Sequence, residues 1–174
     1  MGKYFYTEKF TLIPKQIYTP EFGQEVLKQQ FLLNPEAQID SCEVCAAEAV
    51  MVYSAPDIEC GLRDIEKPLP LAAGMMQAVY GIEEYNKVAF HYSKESGFAH
   101  IVIYTGEELK LANAFKVDSY ESALYFLFLS IKGLQMNPQQ CVITLCWDID
   151  AAQREIAGKF FKGTKVNNLD TDLI

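Results

Sequence analysis

The sequence predicts an α/β protein with mixed sheets, and three observations predict it. Strand-like apolar runs alternate with helical patterns through most of the 174 residues. Two tight turns in series, Lys94-Glu95-Ser96-Gly97 and Thr105-Gly106-Glu107-Glu108, join three extended segments. The composition is 50% hydrophobic, enough for a real core in one large domain or two small lobes.

In the first half, Phe10-Thr11-Leu12-Ile13 begins a strand. Thr19-Pro20-Glu21 then supplies an N-cap, a proline at the first helical position and an early acid, opening a helix to Leu33 that Asn34-Pro35 stops. Gln38 to Val44 and Glu48 to Ser54 read as strands, the latter through its β-rich Ala-Val-Met-Val-Tyr run. Pro56-Asp57 starts a short helix, and Pro70 to Val79 is another with Gly81 near its end. The polar break Gly81-Ile82-Glu83-Glu84-Tyr85-Asn86-Lys87 divides two lobes, residues 1–84 and 85–174.

The second lobe carries strands Val88 to Ser93, Phe98 to Tyr104 and Leu109 to Phe115. Asp118 and Glu121 are spaced as a capping box for a helix from Ser119 to Leu134. That helix has almost no polar face, so burial on nearly all sides is expected. Gly133 and Asn137-Pro138 close it, Cys141 to Trp147 is an apolar strand of the sheet-centre type, Asp150 to Lys159 is an amphipathic helix, and Thr164 to Leu169 is a last short strand. The order is βββαβαβ.

Two hairpins followed by alternating helix and strand give a mixed sheet, antiparallel at first and extended through crossovers. Ribonuclease H-like domains are wired this way, and two in tandem make the actin-like ATPase plan. The first lobe reads as an incomplete copy, starting at its third strand with its leading hairpin missing. Phe10-Thr-Leu-Ile-Pro-Lys, Val52-Tyr53-Ser54-Ala55-Pro56, Lys110-Leu-Ala-Asn-Ala-Phe115 and Ser122-Ala-Leu-Tyr-Phe-Leu-Phe128 through Asn137-Pro138 resemble a bacterial family of unknown function with an actin-like ATPase fold. The resemblance implies that fold and a bacterial, cytoplasmic setting. It implies no activity, and because family members are longer it implies that an opening hairpin is lacking.

Composition excludes several classes of partner. A net charge of -8, with fifteen basic residues and no dense basic run, repels phosphate backbones and anionic lipid. Nucleic acid and membrane are therefore not expected as partners. No apolar run is long enough to span a bilayer, and Met1 to Lys9 lacks the apolar core of a secretion signal, so the expected localisation is cytoplasmic. Five cysteines, an odd number, suit reduced thiols in a cytosol. Cys42-Glu43-Val44-Cys45 has neither a second pair for zinc nor a helix N-terminus for redox work, and reads as ordinary buried or half-buried thiols.

The chemistries of the fold fail residue by residue. An actin-like ATPase holds phosphate on two hairpin loops bearing Asp and Gly. Here the first hairpin is missing, and Phe90 to Gly97 has one Gly and no Asp. The adenosine turn falls near Leu145-Cys146-Trp147-Asp148, where an indole replaces glycine. A ribonuclease H-type nuclease needs several carboxylates on adjacent strands, and Val88 to Ser93 has none. Gly158 to Lys165 imitates a phosphate-binding loop, yet its Lys and Thr are transposed and it leads from helix to strand. No cofactor is expected.

One polar constellation remains. A tight turn at Lys94 to Gly97 puts His91 opposite His100, and a turn at Gly106-Glu107 puts His100 opposite Asn113, in one row on one face of the sheet. His91, His100 and Asn113 form either a small polar or ligand site or a hydrogen-bonded row under a helix or facing solvent. Two imidazoles and an amide are a poor metal set without a carboxylate from elsewhere, and no metal is expected. A one-residue bulge would scatter the row. Trp147, Tyr104 and the aromatics of Tyr120 to Phe128 read as core packing. The expected function is a non-catalytic protein-interaction scaffold on a degenerate actin-like fold, with another protein as partner. The alternative is a nucleotide-binding actin-like ATPase whose phosphate loop lies in a missing N-terminal hairpin.

Overall fold

The computed structural model describes residues 4–55, 68–169 and 171, so the helix start expected at Pro56-Asp57 lies outside the described residues. Strand β1 (Tyr4–Phe5) precedes β2 (Phe10–Pro14), helix α1 (Pro20–Gln30), β3 (Ile39–Val44), β4 (Ala49–Ser54), β5 (Leu69–Pro70) and helix α2 (Leu71–Tyr80). The meander β6 (Asn86–Ser93), β7 (Phe98–Thr105) and β8 (Glu108–Lys116) comes next, then α3 (Tyr120–Gly133), β9 (Cys141–Leu145), α4 (Ala151–Gly158) and β10 (Gly163–Val166). The second half therefore has the expected order βββαβαβ.

These strands form a five-stranded sheet in the order β10-β9-β6-β7-β8. β6, β7 and β8 are antiparallel, while β9 runs parallel to β6 and β10 parallel to β9. Gly97 and Gly106, at φ of +69° and +60°, supply the left-handed backbone that the two meander turns require. In the first half, β2 and β3 flank β4 in a three-stranded sheet that is antiparallel throughout.

Thr19 caps α1 as the sequence predicts, its side chain accepting from the Phe22 amide at 3.2 Å. The helix stops at Gln30, short of the expected Leu33, because Phe31 takes an extended conformation. Phe31 and Leu33 then pack with Leu27, Ile13 and Val52, and Leu32 between them points to solvent. At α3 the cap is Ser119, accepting from the Ser122 amide at 3.1 Å, and not Asp118, whose carboxylate takes the Ser122 hydroxyl at 2.6 Å.

Each face of the five-stranded sheet is covered. On one side α3 and α4 cover Val88, Phe90, Ile101, Ile103 and Ile143. On the other, α2 lies against β6 and β7, and a single apolar core joins Met75, Met76 and Val79 to Ala89, Val102 and Tyr104 and also to Phe10, Met51 and Tyr53 of the smaller sheet. Lys87 is buried in that layer, and its ammonium donates to the Tyr80 and Ile82 carbonyls at 3.1 Å each, at the C-terminal end of α2. Among the described residues no helix is long and apolar enough to cross a membrane.

Candidate functional site

Because β6, β9 and β10 run parallel, their carboxyl ends lie at one end of the sheet, which is where open α/β sheets place ligands. A cleft of about 480 Å³ sits there. Its wall comes from Tyr92 and Ser93 at the end of β6, Trp147 and Asp148 beyond β9, and Asn168 and Leu169 beyond β10. Tyr6 joins them, held by a 2.7 Å hydrogen bond between its hydroxyl and that of Thr171.

His91 lines this cleft although it is only 1% exposed. Its ring packs against those of Tyr6 and Trp147, at centroid distances of 5.4 and 5.9 Å. His100 stands opposite on β7, in the expected register, with the two imidazoles edge to face at 6.2 Å. The His100 Nε2 meets the Thr7 carbonyl at 3.2 Å, so Nε2 carries the proton and Nδ1 is left with a bare lone pair. Neither Nδ1 has a hydrogen-bond partner among the described residues. Burial, with His100 beside it, pulls His91 down to about 3, and burial pulls His100 down to about 4 despite its bond to Thr7. Both rings are neutral near pH 7.

Asn113 is not part of this pair. The ladder between β7 and β8 shifts register between Ile103 and Tyr104: Tyr104 faces Leu109, but Ile103 faces Leu111. Lys110 is the extra residue, and the bulge places Ala114 opposite His100 and Asn113 opposite Ile101. Asn113 is exposed, and its Oδ1 accepts from the next amide, that of Ala114, at 2.9 Å. The expected three-residue row is thus a pair, covered by Tyr6 and Thr7 of the N-terminal segment. Among the described residues no group of three or more His, Cys, Asp or Glu could hold a metal ion. Cys42 is half-buried on β3, where burial pushes its thiol up to about 11, and Cys45 is exposed and unpaired by any disulfide.

A second feature lies on the outer face of the helical layer. The expectation that the apolar helix is buried on nearly all sides does not hold. Only Tyr120, Ala123, Leu127 and Ile131 of α3 are buried, because one side of the helix lies on the sheet and no element among the described residues covers the other. Phe126 stacks on Phe115 of β8 at 4.8 Å, and Phe128 packs on Phe160 at 5.1 Å. Between these flanks Tyr125 and Leu129, one turn apart, are 62% and 48% exposed, and Ile156 and Phe160 continue the apolar strip at 40% and 46%. The sequence showed an excess of apolar side chains without showing which of them the chain's own fold leaves uncovered.

Trp147, expected as core packing, does pack edge-on against Phe90 and also lines the cleft, and Tyr6 was not singled out. The carboxyl-end position of Trp147 follows from the strand order, whereas Tyr6 is brought in from the far end of the chain and has no local signal.

Comparisons with known proteins agree with this architecture. No curated protein matches the chain. A crystal structure from Bacteroides thetaiotaomicron VPI-5482, of a protein with an actin-like ATPase fold and unknown function, superposes with a TM-score of 0.74 at 16% identity. The match covers 95% of this chain and 68% of that one, and at that identity it shows the fold alone. Residues 69–161 match the family model described as protein of unknown function, DUF3822. With more than half of its length matched, the chain belongs to the DUF3822 family and has an actin-like ATPase fold.

Proposed function

We propose that the chain is a non-catalytic interaction protein that docks another protein on the outer face of α3 and α4. The observation that carries this reading is the apolar strip Tyr125, Leu129, Ile156 and Phe160, exposed on a face whose inner side is already fully used in the core. Contiguous apolar surface of this kind marks interaction sites on folded proteins. Covering a large apolar side chain stabilises a complex by about 1.5–3 kcal/mol relative to leaving it in water, so a partner seated here gains several such increments. The acidic chain, at net charge -8, suits a protein partner better than nucleic acid.

The test is a double substitution, Tyr125→Asp with Leu129→Asp, on side chains that contribute little to the core. The wild-type chain in an extract of its own cells elutes above its monomer mass of 19.7 kDa, and the variant elutes at that mass with unchanged circular dichroism. Co-elution of both at the monomer mass contradicts the reading.

A second reading, a nucleotide-binding actin-like protein, is favoured by the position of the cleft at the carboxyl ends of β6, β9 and β10. Against it stands the cleft lining, where among the described residues the carboxylates of Glu95 and Asp148 outnumber the ammonium of Lys94. Titration with ATP and magnesium separates the two readings. Saturable binding supports the nucleotide-binding reading.

A further inference from the structure

We infer that the partner of the α3–α4 face is a second copy of this chain, seated about a two-fold axis with the helices of the two copies antiparallel. The inference rests on the docking role proposed above and names its occupant.

Strands β8, β9 and β10 share one direction, so α3 and α4, which connect them in turn, both run the opposite way. Contacts between the helices keep that order. The Tyr120 hydroxyl, in the first turn of α3, donates to the Gln153 carbonyl in the first turn of α4 at 3.0 Å, and farther along Phe128 packs on Phe160, just past the end of α4. The two helices are therefore parallel neighbours, with their starts at one end of the face and their ends at the other.

Charge divides along that direction. Asp118, Glu121 and Asp150, all exposed, stand at the helix starts, and Lys132, Lys159 and Lys162, also exposed, at or just past their ends. These groups carry -3 at one end and +3 at the other, with the apolar strip Tyr125, Leu129, Ile156 and Phe160 between them. The helix dipoles favour this division, and it makes the face self-complementary. A two-fold axis perpendicular to the face lays the acidic end of each copy on the basic end of the other, twice over, and strip on strip. An axis along the helices would set like charges together. A partner of one sign throughout is repelled at one end of the face, whereas a second copy is repelled at neither.

Sedimentation velocity of the purified chain over a concentration series tests this. The expected species has twice the 19.7 kDa mass of the chain, and high salt, which screens exposed charges, shifts it toward monomer. Two variants at exposed positions then give the face a single sign. Lys132→Glu with Lys162→Glu turns the basic end from +3 to -1, and Asp118→Lys with Glu121→Lys turns the acidic end from -3 to +1. Each variant alone self-associates about ten-fold more weakly or worse, because like ends now meet, and an equimolar mixture of the two forms a one-to-one heterodimer. Circular dichroism of each variant matches the wild type. A wild-type chain that is monomeric throughout the series, variants that dimerise as the wild type does, or a mixture that stays monomeric overturns the proposal. A purified monomer whose cell extract still elutes above the chain mass overturns only the identity of the occupant, whereas an extract eluting at the chain mass removes the docking role with it.

Discussion

The Tyr104 hydroxyl donates to the Ala46 carbonyl at 2.9 Å, a buried bond that ties the five-stranded sheet to the turn between β3 and β4 of the smaller one. Tyr104 is fully buried, and no solvent replaces the bond when it is lost. Tyr104→Phe keeps the ring and strands the carbonyl, so it lowers stability by about 1–3 kcal/mol. Urea denaturation checks this, with a shifted midpoint and an unchanged slope as the expected outcome.

Lys87 occupies a comparable position at the end of α2. Its ammonium is buried and satisfied by two carbonyls, those of Tyr80 and Ile82, and lies 5.9 Å from the centre of the Tyr104 ring. Lys87→Met retains most of the stem but leaves both carbonyls without that donor. The expected cost is about 2–4 kcal/mol, from lost charge-assisted bonds at a helix C-terminus. Thermal unfolding reads it, and Lys87→Arg, which keeps the charge, falls between the variant and the wild type.

The two histidines make stability fall in acid. In the unfolded chain each takes up a proton near its ordinary value of 6.5, whereas in the folded chain they resist protonation down to about 3 and about 4. Below 6.5 the unfolded state therefore binds more protons than the folded one, and stability declines as pH falls until the folded pKa values are reached. Each proton contributes about 1.4 kcal/mol per pH unit, so two give on the order of 2–3 kcal/mol per unit between about pH 6 and 4. Denaturation midpoints measured across that interval show the slope. His100→Gln removes roughly half of it, and an unchanged slope in that variant contradicts the assignment.

What the sequence made legible follows from where its signals are local. The glycines at 97 and 106 mark turns that only a left-handed backbone closes, so the meander and the facing of His91 and His100 could be read directly. The bulge at Lys110 could not, because one inserted residue alters no propensity in its neighbourhood while moving Asn113 to the opposite face. The N-terminal cap of α3 was one residue out for a similar reason, since Asp118 and Ser119 are both good caps. Tyr6 reaches His91 across a sequence separation that no periodicity encodes. The exposed strip of α3 illustrates a different limit: apolar composition says that a surface needs cover, not whether the cover comes from the same chain.

The central claim, that the α3–α4 face docks another protein, is tested most directly by photo-crosslinking in the cell of origin. A photoreactive phenylalanine analogue replaces Tyr125 on the exposed strip, and in a parallel strain replaces Glu25, an exposed residue of α1 far along the chain from that face. Irradiation yields a discrete higher-mass adduct from position 125 and none from position 25, and mass spectrometry of the adduct names the partner, including a second copy of this chain. Equal labelling from the two positions, or no adduct from position 125, contradicts the account.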